Sequence, residues 1–251
     1  MDIDLSGRAI AITGASSGIG EATALACAAA GASVALGARR ADRIEALAGR
    51  IEDEHGAGRA VAIAVDVGEE DQARAFVEGA HTRLGRLDGL VNNAGVMLLG
   101  PIEGAPTEEW RRMLHANVFG VLYCTHAALP LLRAQGGGDV VVVSSVAGRV
   151  ATLGSGVYNA TKWGVNAFSE SLRQELVASG ANVRVTMIEP GAVDTELPDH
   201  LRPEIRELLH RRLDGVEPLT AGDIANAILF ALGQPPHVSV NEVLVRPSRQ
   251  R

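Results

Sequence analysis

The chain has 251 residues, of which 47% are apolar and only 3% aromatic. It is therefore long enough to form one large core of Ala, Val, Leu and Ile without disulfides or metal ions. The net charge of −7 and the lack of a basic stripe argue against a nucleic-acid partner. Two cysteines, Cys27 and Cys124, suit neither a disulfide framework nor a metal site. The acidic start MDIDLS and the absence of a long apolar run predict a cytoplasmic protein with no membrane partner.

Short apolar segments alternate with longer helical patterns along the chain. The predicted strands are Ala9–Thr13, Ser33–Ala38, Ala60–Val65, Gly89–Val91, Asp139–Ser144, Asn182–Ile188 and Glu242–Val245. The predicted helices are Gly18–Ala30, Ala41–Glu54, Glu69–Leu84, Thr107–Arg133 with a break near Ala116, Val157–Ser179 and Ala221–Leu232. The strands are apolar on both faces, as buried parallel strands are. The pattern predicts an α/β protein with a Rossmann-type, doubly wound parallel sheet in one domain.

One segment breaks this alternation. Leu197–Gly215 is charged and has a helical pattern, yet it lies between a predicted strand and a predicted helix. It is long enough to form a lid or a substrate loop.

A glycine-rich loop follows the first predicted strand. In TGASSGIG the glycines have the spacing G-x-x-x-G-x-G. Between a strand and an Ala-rich helix, such a loop lets a pyrophosphate approach backbone amides at the positive end of the helix. A plain tight turn is the alternative, but the context favours cofactor binding. The predicted contacts are Gly14, Ser16, Ser17, Gly18, Ile19 and Gly20.

Two arginines follow the second predicted strand. In NAD-binding folds this strand ends in an Asp or Glu that accepts a hydrogen bond from the ribose 2′-OH, whereas here Ala38 is followed by Arg39 and Arg40. A guanidinium can bind a 2′-phosphate through two parallel hydrogen bonds. The segment therefore predicts NADP(H), with Arg39 as the main contact and Arg40 as a helper. A solvated helix start is the alternative interpretation.

The only lysine of the chain, Lys162, lies four positions after Tyr158. Residues at this spacing share one face of a helix. A phenol has a pKa of about 10, and a nearby ammonium and the positive nicotinamide ring of an oxidised cofactor both lower it toward the range needed for general acid–base catalysis. We therefore expect a lowered pKa for Tyr158. A chance surface pair is the alternative.

These segments resemble the short-chain dehydrogenase/reductase family, together with NNAG (Asn92–Gly95), VVVSSVAG (Val141–Gly148) and PGAVDT (Pro190–Thr195). The resemblance covers nearly the whole chain, and NNAGVMLLGPIE and PGAVDTEL are most similar to the bacterial NADP-dependent reductases that include clavulanic acid dehydrogenase. It implies hydride transfer between NADP(H) and a carbonyl or alcohol substrate. It also implies a cofactor half over about residues 1–140, a catalytic and substrate half over about 141–251, and a substrate loop over about 195–215.

The resemblance also assigns roles to individual residues. The catalytic residues it implies are Asn117, Ser145, Tyr158 and Lys162, with Ser145 bonding the substrate oxygen and the Asn117 carbonyl holding a water against the lysine. The further cofactor contacts it implies are Asp66, Val67, Asn92, Ala94, Gly95, Pro190, Gly191, Val193 and Thr195, besides Tyr158 and Lys162. Asp66 would meet the adenine or, alternatively, cap the next helix through Asp66-x-x-Glu69. Asn92 would lie along the adenosine ribose or, alternatively, tie two strands together.

A mostly apolar substrate pocket is predicted, which favours a small or medium aldehyde or ketone. Its predicted lining is Met97, Leu98, Val146, Val150, Leu153 and the Leu197–Gly215 segment. The basic residues of that segment are Arg202, Arg206, His210, Arg211 and Arg212. They form a solvated helix face paired with Glu204 and Glu207, or one of them meets a substrate carboxylate. The alternative functions are a 3-oxoacyl-thioester reductase or 3-hydroxy acid dehydrogenase and, from another class, a non-catalytic NADP-binding sensor.

Two predicted helices carry more apolar residues than one sheet face can cover. Trp163, Ala167 and Leu132 lie off the sheet-facing stripes of Val157–Ser179 and Thr107–Arg133, so they would meet water in a monomer. The family buries these helices against a second subunit. We therefore expect a homotetramer or, failing that, a dimer.

Overall fold

The computed structural model describes residues 3–250, apart from the side chain of Arg212. Within this range seven parallel strands form one sheet in the order β3-β2-β1-β4-β5-β6-β7. The strands are β1 (Ala9–Thr13), β2 (Ser33–Ala38), β3 (Ala60–Ala64), β4 (Gly89–Asn92), β5 (Gly138–Val143), β6 (Val183–Pro190) and β7 (Glu242–Val245). The predicted doubly wound parallel sheet is confirmed.

Helices connect the strands and cover both faces of the sheet. They are α1 (Gly18–Ala29), α2 (Ala41–His55), α3 (Glu70–Leu84), α4 (Thr107–Leu114), α5 (Gly120–Ala134), α6 (Gly156–Ala178), α7 (Pro203–Arg212) and α8 (Ala221–Leu232). A π-helical turn, His115–Phe119, joins α4 to α5 and contains the predicted break at Ala116. Each predicted strand and helix is present, with small shifts at its ends. The charged segment 197–215 contains α7 and a short 3₁₀ turn, Leu197–His200.

Alternate residues of β1 pack into two separate cores. Ile10 and Ile12 of β1 belong to the core beneath α1, α2 and α8, whereas Ala11 between them belongs to the core beneath α3, α5 and α6. Small residues let the helices come close: a Cβ at Gly37 would lie 2.6 Å from the ring of the fully buried Phe76. Close packing of this kind explains how a core with so few aromatic residues is filled.

The predicted exposure of Leu132 is wrong. Leu132 is fully buried, and a Cβ at Gly138 would lie 2.7 Å from its Cδ2 atom. The π-helical turn inserts one extra residue before α5, so the faces of α5 are rotated relative to those of a continuous helix. Trp163 and Ala167 on α6 are exposed, as predicted.

All strands point the same way, so the residues that follow them meet at one edge of the sheet. A parallel sheet binds its ligands at this carboxyl edge, where the strand order reverses. Here β1 lies between β2 and β4, and the glycine loop follows β1 at that reversal. No helix within residues 3–250 has the length and apolar character needed to cross a bilayer.

Candidate active site

A cleft of about 1410 Å³ opens at the carboxyl edge of the sheet. The segments after all seven strands contribute to its walls, and the 3₁₀ turn and α7 border one side. The volume exceeds that of an ordinary small-molecule pocket, which is about 300–1,000 Å³. The cleft therefore has room for a dinucleotide and a substrate together.

The glycine loop follows β1 and lines the cleft. Gly14 and Gly18 have φ angles of 68° and 56°, and a Cβ at Gly14 would lie 2.8 Å from the Cα of Ala94. Helix α1 begins at Gly18, and its N-cap residue, Ser17, makes no side-chain capping bond. Its first N–H groups are therefore available to an anion, and this cradle fits the pyrophosphate of a dinucleotide. Gly20 is buried behind the loop and does not line the cleft.

The two arginines after β2 both line the cleft but differ in their contacts. Arg40 donates to Ser17 Oγ at 2.7 Å, to Ser16 Oγ at 2.9 Å and to Glu196 Oε2 at 2.8 Å. Arg39 makes one loose ion pair with Asp66 at 4.0 Å and has a side chain that is 62% exposed. The guanidinium of Arg39 is therefore more available to bind a ligand than that of Arg40.

Glu196 joins the segment after β6 to the arginines after β2. Arg43 Nη1 lies 2.6 Å from its Oε1 atom, and Arg40 binds the other oxygen. These hydrogen bonds, with Arg43 the largest contributor, hold the pKa of Glu196 at about 2. The sequence analysis missed this residue because its partners lie far away along the chain.

Asp66 and Val67 line the cleft after β3, as predicted. The alternative role of Asp66 as a helix cap paired with Glu69 is wrong, since α3 begins at Glu70 and no side chain caps it. Instead, Asp66 Oδ1 accepts from the backbone N–H of Gly68 at 3.0 Å. This short turn fixes the carboxylate at the edge of the cleft.

The predicted position of Asn92 in the cofactor site is wrong. Asn92 is 2% exposed, does not line the cleft, and donates from Nδ2 to Thr125 Oγ1 of α5 at 2.9 Å. The next residue, Asn93, lines the cleft and donates to the carbonyls of Thr13 and Gly14 at 3.0 and 3.2 Å. Side chains alternate along a strand, so the doublet NN could have indicated one inward and one outward residue.

The remaining predicted cofactor contacts line the cleft, and their contact with a cofactor stays a prediction. Ala94 and Gly95 line the cleft after β4, and the PGAVDT segment lines it after β6. The lining residues of that segment are Pro190, Gly191, Ala192, Val193, Asp194 and Thr195. Ser16, Ser17 and Ile19 also line it.

Tyr158, Lys162 and Ser145 meet in the cleft. Tyr158 and Lys162 lie on α6 and are 8% and 7% exposed. Lys162 Nζ donates to the carbonyl of Val143 at 2.9 Å and lies 5.9 Å from the centre of the Tyr158 ring. Ser145 follows β5, and its Oγ accepts from Ala147 N–H at 3.1 Å. The structure thus brings the three residues together.

Burial dominates the charge states of this group. Desolvation raises the pKa of Tyr158 to about 12, although its hydrogen bond with Ser145 acts in the opposite direction. Desolvation also lowers the pKa of Lys162 to about 8. The predicted lowering of the phenol pKa is therefore wrong for the protein by itself, because burial of the phenolate outweighs the attraction of the ammonium. Tyr158 therefore stays protonated and can act as a proton donor.

Asn117 lies in the π-helical turn and is 1% exposed. Its Oδ1 accepts from Val96 N–H at 2.8 Å, and its Nδ2 donates to the Val96 carbonyl at 2.9 Å and to Thr161 Oγ1 at 3.2 Å. The side chain is outside the lining of the cleft, and it joins the irregular segment after NNAG to the turn of α6 that carries Lys162. Its role in a water relay stays a prediction.

The substrate end agrees only in part with the predicted lining. Met97, Val146 and Val150 line the cleft. Leu98 is buried in a small apolar cluster with Tyr158 instead. The prediction for Leu153 is wrong: the residue is 87% exposed and outside the cleft, since it lies in a turn whose next residue, Gly154, has a φ of 76°.

Helix α7 and the residue that follows it bring side chains to the cleft, whereas Arg206 and Arg211 do not line it. Leu209, His210 and Leu213 line the cleft, and Leu209 also packs in the cluster around Tyr158. The helical spacing of Leu209 and Leu213 is the signal that could have indicated them.

Three arginines of this segment do not line the cleft and pair with carboxylates. Arg206 lies 3.3 Å from Asp199, Arg211 lies 3.5 Å from Glu207, and Arg202 lies 3.8 Å from both Glu109 and Glu204. The structure thus favours the solvated face over contact with a substrate. The side chain of Arg212 lies outside the described part of the chain.

Three polar residues of the cleft escaped the sequence analysis altogether. Arg246, Arg249 and Gln250 follow β7 and line the cleft beside Gly191. Gln250 Oε1 accepts from Ala192 N–H at 2.9 Å, which fixes the end of the chain against the segment after β6. In the part of the chain that the structure describes, no three His, Cys, Asp or Glu residues are grouped as a metal site would need.

A dinucleotide cradle at the carboxyl edge and a Ser–Tyr–Lys group with buried Tyr and Lys define an α/β protein of the nucleotide-binding oxidoreductase type. The family model described as short chain dehydrogenase matches residues 8–206. The chain belongs to the short-chain dehydrogenase/reductase family, whose members act on CH–OH and C=O groups.

Known proteins of this family resemble the chain along its length. An uncharacterised oxidoreductase from Staphylococcus saprophyticus is 41% identical over 248 residues, with 97% of each chain covered. An alcohol dehydrogenase from the archaeon Thermococcus sibiricus, complexed with 5-hydroxy-NADP, superposes with a TM-score of 0.86 at 31% identity and covers 97% of this chain and 98% of its own.

A short-chain dehydrogenase/reductase from Burkholderia phymatum in complex with NAD also has a TM-score of 0.86, at 25% identity, with 96% of this chain and 89% of its own covered. The two solved structures thus hold different dinucleotides on the same fold. Together they support a nicotinamide cofactor for this chain and leave the choice between NAD and NADP to its own side chains.

Proposed function

We propose that the protein is an NADP(H)-dependent oxidoreductase that transfers a hydride between nicotinamide and a carbonyl or alcohol substrate. The observation that carries this proposal is the meeting of Ser145, Tyr158 and Lys162 in the cleft that begins at the glycine loop. A non-catalytic NADP-binding sensor has no need of a buried lysine beside a buried phenol. The burial of two ionisable groups favours an enzyme, because such groups cluster at functional sites.

The residues of the chain supply proton transfer and orientation. The nicotinamide, when bound, supplies or accepts the hydride. In reduction, Ser145 Oγ donates a hydrogen bond to the substrate oxygen, and Tyr158 Oη passes its proton to that oxygen. The raised pKa of Tyr158 keeps the proton in place until negative charge develops on the substrate. Protonated Lys162 then stabilises the phenolate, and oxidation runs these steps in reverse.

The preference for NADP(H) rests on the segment after β2. Arg39 and Arg40 line the cleft there, and Arg39 has the more exposed guanidinium. A 2′-phosphate would receive a charge-assisted hydrogen bond from Arg39, whereas the 2′-hydroxyl of NAD would give that guanidinium no charged partner beyond the loose pair with Asp66. Asp66 would face the adenine.

The apolar wall of Met97, Val146 and Leu209 favours a small or medium aldehyde or ketone, of which a clavulanate-type aldehyde is one example. The alternatives are a 3-oxoacyl thioester and a 3-hydroxy acid. A panel of these compounds, followed by NADPH and NADH absorbance, tests the function. We expect turnover of at least one carbonyl compound, with higher kcat/KM for NADPH than for NADH. Faster turnover with NADH would refute the cofactor assignment, and cofactor binding without turnover of any compound would favour the sensor.

We also propose that the protein forms a homo-oligomer, with a tetramer as the first expectation, and that it is cytoplasmic. Exposed apolar side chains lie near α5 and on α6: Phe119, Trp163 and Val177 are 39%, 50% and 68% exposed. A second copy could cover this surface by two-fold pairing. Light scattering after size exclusion at micromolar concentration tests it, and a mass near 26.2 kDa would refute it.

A further inference from the structure

Arg246 is a guanidinium of the cleft with no partner among the described residues. It follows β7 directly, lines the cleft, and has a buried Nε atom without a hydrogen bond within residues 3–250. Arg249 lines the same part of the cleft. Neither arginine forms an ion pair with any carboxylate in residues 3–250.

Other arginines of the carboxyl edge are paired, which makes these two stand apart. Arg40 and Arg43 share Glu196, and Arg149 binds the fully buried Glu189 at 2.7 Å. A buried donor without an acceptor costs about 1–3 kcal/mol. The unpaired guanidinium is therefore a cost to the fold, whereas an anionic ligand in the cleft that Arg246 lines would give it a charged partner.

The position of Arg246 separates it from the adenosine end. Arg39 and Arg40 follow β2, and the strands β1, β4, β5 and β6 lie between β2 and β7. At the usual strand spacing this places the two arginine groups about 24 Å apart. By contrast, Ser145 follows β5, which lies two strands from β7, or about 10 Å away. Arg246 is therefore closer to the catalytic group than to the region of Arg39.

The wall that carries Arg246 is held in place. Val245 pairs with Pro190 in the sheet, and Gln250 accepts from Ala192 N–H at 2.9 Å. The chain between these two anchors therefore follows the segment after β6. A guanidinium held in this way can bind a carboxylate with less loss of side-chain freedom than a mobile one.

We propose that Arg246, assisted by Arg249, binds a carboxylate of the substrate, so that the enzyme acts on carbonyl compounds that carry an acid group a few bonds from the reacting carbon. This inference deepens the proposed function and rests on it. The planar fork of a guanidinium matches the two oxygens of a carboxylate. The apolar residues that line the same cleft, such as Val146, would contact the carbon frame that joins the two polar ends.

The first experiment compares 4-carboxybenzaldehyde with benzaldehyde as substrates, with NADPH, in wild type, Arg246→Gln and Arg246→Lys. The ratio of kcat/KM for the acid to that for the neutral aldehyde should fall about 10- to 100-fold in Arg246→Gln, through KM, and less in Arg246→Lys. Arg211→Gln is the matched control, because Arg211 pairs with Glu207 and lies outside the cleft. An unchanged ratio in Arg246→Gln would overturn the inference.

A second experiment separates this inference from the proposed function. Calorimetric titration of the protein with benzoate, benzamide and phenyl phosphate needs no turnover. Benzoate should bind more tightly than benzamide, and Arg246→Gln should remove the difference. Binding of this kind without turnover of any aldehyde would refute the enzyme and keep the carboxylate site. Tighter binding of phenyl phosphate than of benzoate would overturn the assignment to a carboxylate.

Should Arg246→Gln fail to fold, Arg246→Lys and Arg249→Gln carry the test, since Arg249 is exposed. Each should reduce the acid-to-neutral ratio about 3- to 10-fold. Wild-type ratios in both variants would overturn the inference.

Discussion

The two ends of the cleft handle charge in opposite ways. At one end, which follows β2 and which we propose as the adenosine end, the side chains of Arg40, Arg43 and Glu196 are between 42% and 44% exposed and form ion pairs in contact with water. At the other, the proposed catalytic end, Tyr158 and Lys162 are less than a tenth exposed. Water screens the first group, so its charges contribute little to stability. Desolvation governs the second, so its ionisable groups are costly to the fold and reactive.

The largest expected effect comes from the hydroxyl of Tyr158. Tyr158→Phe keeps the ring and removes the proton donor, so turnover should fall at least ~100-fold, the scale of a lost general acid. NADPH binding, measured by fluorescence titration, should change little. Tyr123→Phe is the control, since the only other tyrosine stacks on Phe119 away from the cleft. Activity of Tyr158→Phe within about threefold of wild type would be incompatible with the proposed mechanism.

Reversing a charge at the adenosine end should change the choice of cofactor and should hardly change the free energy of unfolding. Arg39→Asp should weaken NADPH binding by about 30- to 1,000-fold, because it removes a charged donor and adds a repulsive carboxylate. NADH binding should weaken much less. Arg50→Asp is the control, because Arg50 is a surface arginine that pairs with Glu54 on α2. Equal loss of NADPH and NADH affinity would mean that Arg39 does not read the 2′-phosphate.

The cost of burying Lys162 should be visible as a pH dependence of stability. Its pKa is lowered from 10.5 to about 8, so between these values the unfolded chain binds more protons than the folded chain. The free energy of unfolding should therefore rise with pH from 8 toward 10 by about 1–3 kcal/mol on account of this residue.

Lys162→Met isolates that contribution, because other groups titrate in both proteins. The thiols of Cys27 and Cys124, whose pKa values burial raises to about 12, act against the rise and cancel in the difference. Urea titrations at pH 8, 9 and 10 should show wild type gaining stability relative to Lys162→Met. A constant difference between the two proteins would contradict a lowered pKa.

The smallest expected effect concerns Glu196. Glu196→Gln should leave the urea midpoint nearly unchanged, because its ion pairs are exposed. NADPH affinity should rise about two- to fivefold, since Arg40 would be released and a negative charge removed. NADH affinity, measured in parallel, should stay constant. A large loss of stability would show that the adenosine end is less well screened than its exposure indicates.

Local patterns predicted the strands, the glycine loop and the convergence of Ser145, Tyr158 and Lys162, because each depends on a short run of residues and on parallel strand direction. Three errors share a different origin. The predicted orientations of the side chains of Leu132, Asn92 and Leu153 are each wrong. A π-helical turn, a strand end and a glycine turn set these orientations, and all three depend on tertiary packing.

Arg246 escaped prediction for a related reason. An arginine after a short final strand has no distinguishing local pattern, and only the sheet order brings β7 beside β6. The chemistry of the pocket wall thus depends on contacts between distant parts of the chain, whereas the reactive group can be read from one helix and one strand end.

The single lysine has a consequence for chemical labelling. Amine-directed reagents have one side chain to modify in this sequence, and it lies within the cleft. With a pKa of about 8, much of its amine is unprotonated and nucleophilic at the mildly alkaline pH of such reactions. A small acylating reagent therefore becomes a footprint of cleft occupancy, and attachment of the protein to a surface through its carboxylates spares the residue that attachment through side-chain amines would consume.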